Sequence, residues 1–501
     1  MSNQELEVKF VLDTPVSNAW NSDLEGAFLA AGFAIEKKPT LRLTNIYFDT
    51  QNNHFETYKM GMRVRGCDGK FEQTLKTQKT VNAGVHQRNE YNIPLDTDTP
   101  DLALFPDEAW PEELLGEVST FELKPQFSTH FVRQVILLSN AMGTCELVLD
   151  EGEVKTENST KPINEIEIEL VEGPISVLLN AAKVLEPFGV RLSDVSKAAQ
   201  GYALLNGQPN KVKKLPSSLA LSEDETTEDA FCRSCEQALK HWQTHEHLYS
   251  ETDSDKMLIE IATGVRLLLQ SLTLFLPVIQ CQPLLVLQRD LLLFSEKWLW
   301  VDDLQCTRFL LSRKGPFFKT LSRQTAITSY LQGRHVGLLN SYQPKALFSS
   351  EDANHIKMSV LTLLIEKPWR SQISVSNMPV IDHAKGWLSQ GWQILHQAIQ
   401  PARTLQAANY IAVEPLMRQT LFNGFILSGL FANSGPARAP WLDLLEGIDE
   451  IRALQFLKQA LVEAELEYEE GLEAWVEEKL DHLLSIMERT RQVAVSKNMY
   501  W

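Results

Sequence analysis

The chain has 501 residues and carries 65 Asp+Glu against 47 Lys+Arg, a formal charge of −18. That length is ample for two or three domains with real hydrophobic cores, and 44% hydrophobic with 22% charged residues excludes the disordered and fibrous classes. The acidic balance disfavours a general affinity for nucleic acid or an anionic membrane, so any polyanion site has to be a local exception.

The opening MSNQELEVKF places carboxylates where an export signal would carry a basic patch and an apolar run, so no export is expected. The apolar stretches Leu267–Val278 and Leu284–Phe294 fall short of the roughly 18–20 residues of a membrane span. Six scattered cysteines do not form a disulfide framework, and the expected location is a reducing cytoplasm.

Up to position 200 there are 31 Asp+Glu and 18 Lys+Arg, which concentrates the acidity in the N-terminal part. That part reads as strands over 5–12, 43–50, 62–67, 70–78, 86–93, 121–127, 130–138, 144–152 and 163–171, from period-two alternation and β-rich composition. Helices are expected near 16–31, 175–186 and 195–205. A polar stretch over 207–225, rich in Pro, Ser and charge, reads as a linker. From 226 to 501 apolar residues recur at intervals of three and four, the mark of an all-helical domain.

Successive side chains of a strand point to opposite faces, so Glu5, Glu7 and Lys9 share one face and Leu6, Val8 and Phe10 the other. Arg63 and Arg65 sort in the same way, as do Arg88 with Glu90, Glu146 with Asp150, and Glu165, Glu167 and Glu169. A solvated antiparallel sheet produces the same alternation. Three carboxylates in a row repel one another unless a cation sits among them, however, and paired arginines repel unless an anion does. From the residues alone, both a solvated sheet and a charged ligand site stay open. Were these faces to converge inside a barrel, the carboxylates would offer the oxygen-only donors that suit Mg²⁺ or Mn²⁺. Arg63, Arg65, Arg88 and Arg133 with Lys9, Lys76 and Lys197 would then supply forked and point-charge donors to phosphate oxygens.

ELEVK at 5–9, YFDT at 47–50, GMRVR at 61–65, TLK at 74–76, RNE at 88–90, Arg133, ELVLDEG at 146–152, EIEIEL at 165–170 and SK at 196–197 occur in an order that resembles the CYTH family. Its members are also called triphosphate tunnel metalloenzymes. The resemblance implies an α+β chain whose first 206 residues form an eight-stranded antiparallel β-barrel tunnel with outer helices. It implies metal ligands at Glu5, Glu7, Glu165, Glu167 and Glu169, joined by Asp150, for Mg²⁺ or Mn²⁺. Phosphate-binding roles fall to Lys9, Arg63, Arg65, Lys76, Arg88, Arg133 and Lys197, and Glu5, Glu7, Lys9, Arg63, Arg65, Lys76 and Lys197 make up the catalytic set. Glu90 and Glu146 are further lumen candidates, and Tyr47 and Asp49 are given a structural or tunnel-end role.

The implied activity is metal-dependent hydrolysis of inorganic triphosphate to pyrophosphate and phosphate. The alternatives are thiamine triphosphate, a nucleoside triphosphate, cyclisation of ATP, or a non-catalytic polyphosphate-binding module. Residues 226–501 resemble the helical CHAD domains, which are associated with polyphosphate. They keep Arg266 and Arg418 of that pattern, but Ile259 stands at the first histidine position and the second His, Lys and Arg–Tyr are missing. A helical-bundle scaffold is therefore expected there. Cys232, Cys235, His241 and His245 have zinc-like spacing, yet one continuous helix cannot wrap all four around a tetrahedral ion.

Overall fold

In this computed structural model the described residues are 3–82, 85–207, 211–371, 377–399, 404–463 and 471–501, and side chains are described for these except 3–4, 78–82 and 85–88. Two compact units account for them. One comprises residues 1–210 with 348–366, and the other 211–347 with 367–501.

The first unit is built on β1 (Asn3–Val11), β2 (Ala34–Lys37), β3 (Leu41–Thr50), β4 (Gly61–Cys67), β5 (Lys70–Asn82), β6 (Val85–Leu95), β7 (Leu123–Asn140), β8 (Gly143–Lys155), β9 (Thr160–Glu172) and β10 (Arg191–Leu192). Neighbouring strands run β1-β6-β5-β4-β3-β7-β8-β9, and β9 pairs back onto β1 through Glu7↔Glu169, Lys9↔Glu167 and Val11↔Glu165. Eight antiparallel strands thus close on themselves, and the short β2 and β10 add to β7 and β1. Between β4 and β5 the chain turns through Asp68 and Gly69, both at positive φ, as a two-residue hairpin of right-twisted strands requires.

Two features differ from the sequence reading. The strands expected over 121–127 and 130–138 are one 18-residue strand, because Ser128, Thr129 and His130 stay in register with Lys155, Val154 and Glu153 across the gap. Pro125, which lacks an amide donor, sits beside the register shift at Tyr47/Phe48, where a bulge spares the lost ladder bond. The two-residue β10 and the four-residue β2 are too short to carry a period and went unread.

The outward strand faces are apolar and need cover. Val8, Phe10, Leu147, Leu149, Ile166 and Ile168 pack against Leu24 and Phe28 of α1 (Asn18–Ala30) and against Val177, Leu178, Ala181 and Ala182 of α3 (Ile175–Lys183). On another side, Met62, Val64, Leu75 and Tyr91 pack with Phe55 of the short α2 (His54–Thr57) and with Phe105, Trp110 and Leu114. The fourth helix of the N-terminal part is α4 (Lys197–Asn206), capped by the Ser196 hydroxyl, which accepts from Ala199 N–H.

The second unit contains α5 (Thr227–Thr252), α6 (Asp255–Phe275), α7 (Gln282–Glu296), α8 (Trp300–Leu311), α9 (Phe318–Leu321), α10 (Thr325–Tyr342), α11 (Pro344–Phe348), α13 (Ile381–Ala398), α14 (Ala407–Leu427), α15 (Ser434–Glu463) and α16 (Leu472–Ser496). The last residue of α11, Phe348, belongs to the first unit. Residues 211–225 of the expected linker belong to the second unit, where Leu219 N–H donates to Phe425 O at 2.8 Å. The apolar run around 267 is the end of α6, which by length and composition could cross a membrane, although 72% of its most apolar window is buried inside the fold.

One helix of the expected second domain lies in the first unit. In α12 (Glu351–Glu366), Met358 and Leu361 are fully buried in the cluster that covers β1, β8 and β9. Asn354 Nδ2 donates to Glu186 O at 3.1 Å and Val190 O at 2.8 Å, which satisfies carbonyls left beyond the end of α3. Deleting the buried Leu361 side chain as Leu361→Ala should therefore cost about 2–4 kcal/mol in the denaturant unfolding of the barrel unit. An unchanged midpoint would show that α12 is peripheral.

Candidate active site in the barrel lumen

Because the outward faces are apolar, the alternate residues of each strand face the lumen. Glu5, Glu7 and Lys9 come from β1, Arg63 and Arg65 from β4, Lys76 from β5, Glu90 from β6, Arg133 from β7, Glu146 and Asp150 from β8, and Glu165, Glu167 and Glu169 from β9. Register sets them opposite one another as Lys76↔Glu90, Arg133↔Asp150, Asp150↔Glu165, Glu146↔Glu169 and Glu7↔Glu169. Lys197, at the first turn of α4, is buried with them.

One part of the lumen is a compensated cluster. Lys9 Nζ lies 2.5 Å from Glu165 Oε2 and 3.6 Å from Glu167 Oε1. Lys197 Nζ lies 2.7 Å from Asp150 Oδ2 and 3.2 Å from Glu167 Oε1, and it also contacts Glu165. Arg133 forks onto Asp150 at 2.8 and 2.7 Å and reaches Glu167 at 3.3 Å. Burial opposes charge on all of these groups, yet Lys197 and Arg133 hold Asp150 below the usual carboxylate range, and Lys197, Lys9 and Arg133 hold Glu167 far below it. Asp150, Glu165 and Glu167 bring one oxygen each within 4.8 Å of the others, close enough for a metal ion, but three cationic side chains already neutralise them.

The other part is short of positive charge. Lys76 bridges Glu5 at 2.8 Å and Glu90 at 3.1 Å, and Arg63 reaches Glu90 at 3.3 Å. Burial pushes Glu5 up to about 8, Lys76 opposing and Glu7 and Glu90 adding to the rise. Burial pushes Glu169 up to about 7, with Glu90, Glu7 and Glu146 adding to it against Lys76. Glu90, despite burial, falls to about 2 between Lys76 and Arg63. The hard oxygen donors of this part lack compensating positive charge, the condition that suits a divalent ion. Of the six carboxylates expected to bind metal, Glu5, Glu7 and Glu169 are the ones that lie in this part of the lumen.

Between these parts lie the arginines. Arg65 has no carboxylate within ion-pair distance among the described residues, and its Nε donates to Asn45 Oδ1 at 3.0 Å. Burial, with Arg63 and Arg133 nearby, lowers it to about 9, still protonated at neutral pH. The Nε of Arg63 is buried and bonded to nothing among the described residues. Two guanidinium groups therefore have donor capacity that an anion would fill.

Asn45, Gln200 and Gly201, which carried no sequence signal, complete the frame together with Tyr47 and Asp49. Asn45, fully buried, donates from Nδ2 to Thr129 Oγ1 at 2.8 Å, which turns its carbonyl oxygen toward Arg65. Gln200 of α4 donates to Glu165 at 3.4 Å. Tyr47 stacks on Phe127, with ring centroids 4.7 Å apart, and Phe127 meets Tyr202 edge-on. Gly201 is required there, since a Cβ would fall 2.0 Å from the Phe127 ring. Asp49 accepts from the backbone N–H groups of Thr50, Phe55 and Glu56 and from Tyr202 OH, a structural role. The structure brings all the named site residues to the lumen except Arg88, whose backbone pairs with Glu5 but whose side chain lies outside the described residues.

Residues 3–202 match the model of the CYTH domain family. Over 208 residues it is 33% identical to an inorganic triphosphatase of Haemophilus influenzae, an alignment that covers 40% of this chain and 55% of that protein. The chain thus spans about half the length of that curated relative. Among solved structures, it resembles a putative adenylyl cyclase from Hippeastrum described as having a dominant triphosphatase activity, at 22% identity over 42% of this chain and 98% of that one, with a TM-score of 0.29. It also resembles the CHAD domain of the plant Ricinus communis, at 17% identity over 58% of this chain and 99% of that one, with a TM-score of 0.42.

The raised carboxyls set a pH dependence. Unfolded, Glu5 and Glu169 lose their protons near 4.5, whereas folded and metal-free they keep them to about 8 and about 7. The folded state holds more protons within that window, so metal-free stability falls as pH rises through it. Mg²⁺ binding at neutral pH should release protons, measurable by calorimetry in buffers of different ionisation heat, and should abolish the decline. Release unchanged in Glu5→Gln would place the metal elsewhere.

Proposed function

We propose that the lumen hydrolyses inorganic triphosphate to pyrophosphate and phosphate with the help of Mg²⁺ or Mn²⁺. The observation that carries this reading is the pair of under-bonded guanidiniums, Arg63 and Arg65, facing a wall of carboxylates short of positive charge. Together they complement a short, highly charged phosphate chain accompanied by a cation.

A divalent ion held by Glu5, Glu7 and Glu169 would supply Lewis-acid polarisation and lower the pKa of a bound water. The rest falls to the protein. Arg65, aimed by Asn45, and Arg63, anchored by Glu90, present forked donors to phosphate oxygens and stabilise charge gathering on the departing phosphate. Lys76 spans Glu5 and Glu90 and adds a point charge beside them. The compensated cluster around Lys197 holds β8, β9 and α4 together and keeps Arg133 oriented.

In the helical unit, Arg266 pairs with Asp302, Arg452 with Asp302 and Glu414, and Arg418 with Glu414 and Asp449. These arginines are occupied, which speaks for a scaffold and against polyphosphate binding there.

The test is phosphate release from tripolyphosphate, ATP and thiamine triphosphate with Mg²⁺, Mn²⁺ or EDTA. Release should be fastest from tripolyphosphate and lost with EDTA. Folded Glu7→Gln and Arg65→Ala should each lose about 10²–10³ in kcat/KM. No release from any of the three, with tripolyphosphate still raising the melting temperature, would instead make the lumen a binding module. Asn45→Asp should raise KM for tripolyphosphate about tenfold or more, because a carboxylate beside Arg65 competes with phosphate. An unchanged KM would remove Asn45 from the positioning role.

A further inference from the structure

Outside the lumen, another set of metal-ligating side chains converges, wholly within the helical unit. His241 and His245 lie one turn apart on α5, and Glu260 faces them from α6, the antiparallel neighbour. One ligand atom from each lies within 4.8 Å of the others. All three are buried, at 5%, 0% and 5% exposure. His241 Nε2 is 3.0 Å from Glu260 Oε2. The sequence pointed to this pair of histidines with the wrong companions. Cys235 lies roughly 9 Å along the helix axis from His241, and the third donor comes from the next helix.

The imidazoles are prepared for coordination. His245 Nδ1 donates to the carbonyl of His241 at 2.7 Å, which fixes the tautomer and leaves Nε2 as the nitrogen with a free lone pair for an acceptor role. The Nε2 of His245 now accepts only a long bond, 3.3 Å, from the backbone N–H of Lys213. The far oxygen of Glu260 carries a cation already, since Lys214 Nζ is 2.6 Å from Oε1. That lysine side chain is 79% exposed, so its ammonium can leave without loss of packing.

We propose that His241, His245 and Glu260 form a transition-metal site of the Zn²⁺ class in the helical unit, at which the ion displaces the Lys214 ammonium. Two imidazole nitrogens and a carboxylate are borderline donors that select Zn²⁺, Co²⁺ or Ni²⁺ over Mg²⁺, in contrast to the oxygen-only lumen. His241 takes the tautomer with its proton on Nδ1 when Nε2 coordinates, so no proton need leave. Three protein ligands leave a fourth position for water or an exogenous ligand.

The experiment uses the full chain, stripped of metal and held in a large excess of Mg²⁺ so that the lumen is occupied. Co²⁺ is titrated and followed by its visible ligand-field bands, and bound Zn²⁺ is counted by elemental analysis. Wild type should bind one equivalent more than Glu260→Gln or His241→Gln, and Zn²⁺ should raise its melting temperature. Lys214→Ala, at an exposed position, should bind about two- to fivefold more tightly, because its ammonium competes with the ion for Glu260. Equal stoichiometry in wild type and Glu260→Gln would overturn the proposal, as would no gain in Lys214→Ala. Were the buried variants to unfold, the Lys214→Ala affinity and the Zn²⁺-induced stabilisation of wild type would still decide it.

Discussion

A charged side chain inside a closed barrel cannot turn away to bulk water, and this constraint shapes the whole first unit. Burying ions costs free energy that a salt bridge recovers only with good geometry and with every lone pair and proton engaged. Around Lys197 the geometry is favourable, with Asp150, Glu165 and Glu167 each in reach of one ammonium. Lys197 is also the first residue of α4, so the ion pairs that compensate the lumen also dock that helix. The inverse constraint acts outside, where strands that spend one face on charge must leave the other apolar and have it covered. Covering it takes α1, α3 and the 102–121 segment, and it draws in α12 (Glu351–Glu366) from beyond the first 210 residues of the chain.

The lumen is not uniformly compensated, and the uneven part is where its chemistry resides. Around Asp150 and Glu167 the cations come from the protein, and the carboxylates are pulled below their ordinary range. Around Glu5 and Glu169 the only described ammonium is Lys76, and the carboxyls are forced upward. A fold selected for stability alone would place another lysine there or remove a glutamate. The stability given up is recovered when a ligand brings the missing charges, which is the physical sense of a preorganised site.

The alternation of residues such as Glu5, Leu6, Glu7, Val8, Lys9 and Phe10 was legible, and so was the sorting of charge by strand face. Whether the charged face lay inside or outside was not, because a solvated sheet and a tunnel produce the same period of two. That question was decided by the ordered motifs across the domain, and the closure of β9 onto β1 agrees with them. Other parts were silent for physical reasons. Asn45 gives no periodic signal, since its role comes from one hydrogen bond to Thr129 and one to Arg65. Helix α12 has the same apolar spacing as any other helix in the C-terminal half, and spacing does not name the partner. Glu260 escaped notice because a donor set shared between two helices has no fixed separation in sequence.

The arginines of the two units make the same point in chemical terms. Arg266, Arg418 and Arg452 sit among Asp302, Glu414 and Asp449, three cations with three carboxylates, and Arg418 and Arg452 each bridge two of them. Such a network is neutral and its donors are spent, so an approaching phosphate would have to break ion pairs before gaining any. In the lumen, Arg65 is held by an uncharged amide and keeps its full charge for a ligand. An arginine therefore reads as an anion site only after its carboxylates have been counted. Substituting aspartate for the single amide of Asn45 would move Arg65 from the second condition to the first.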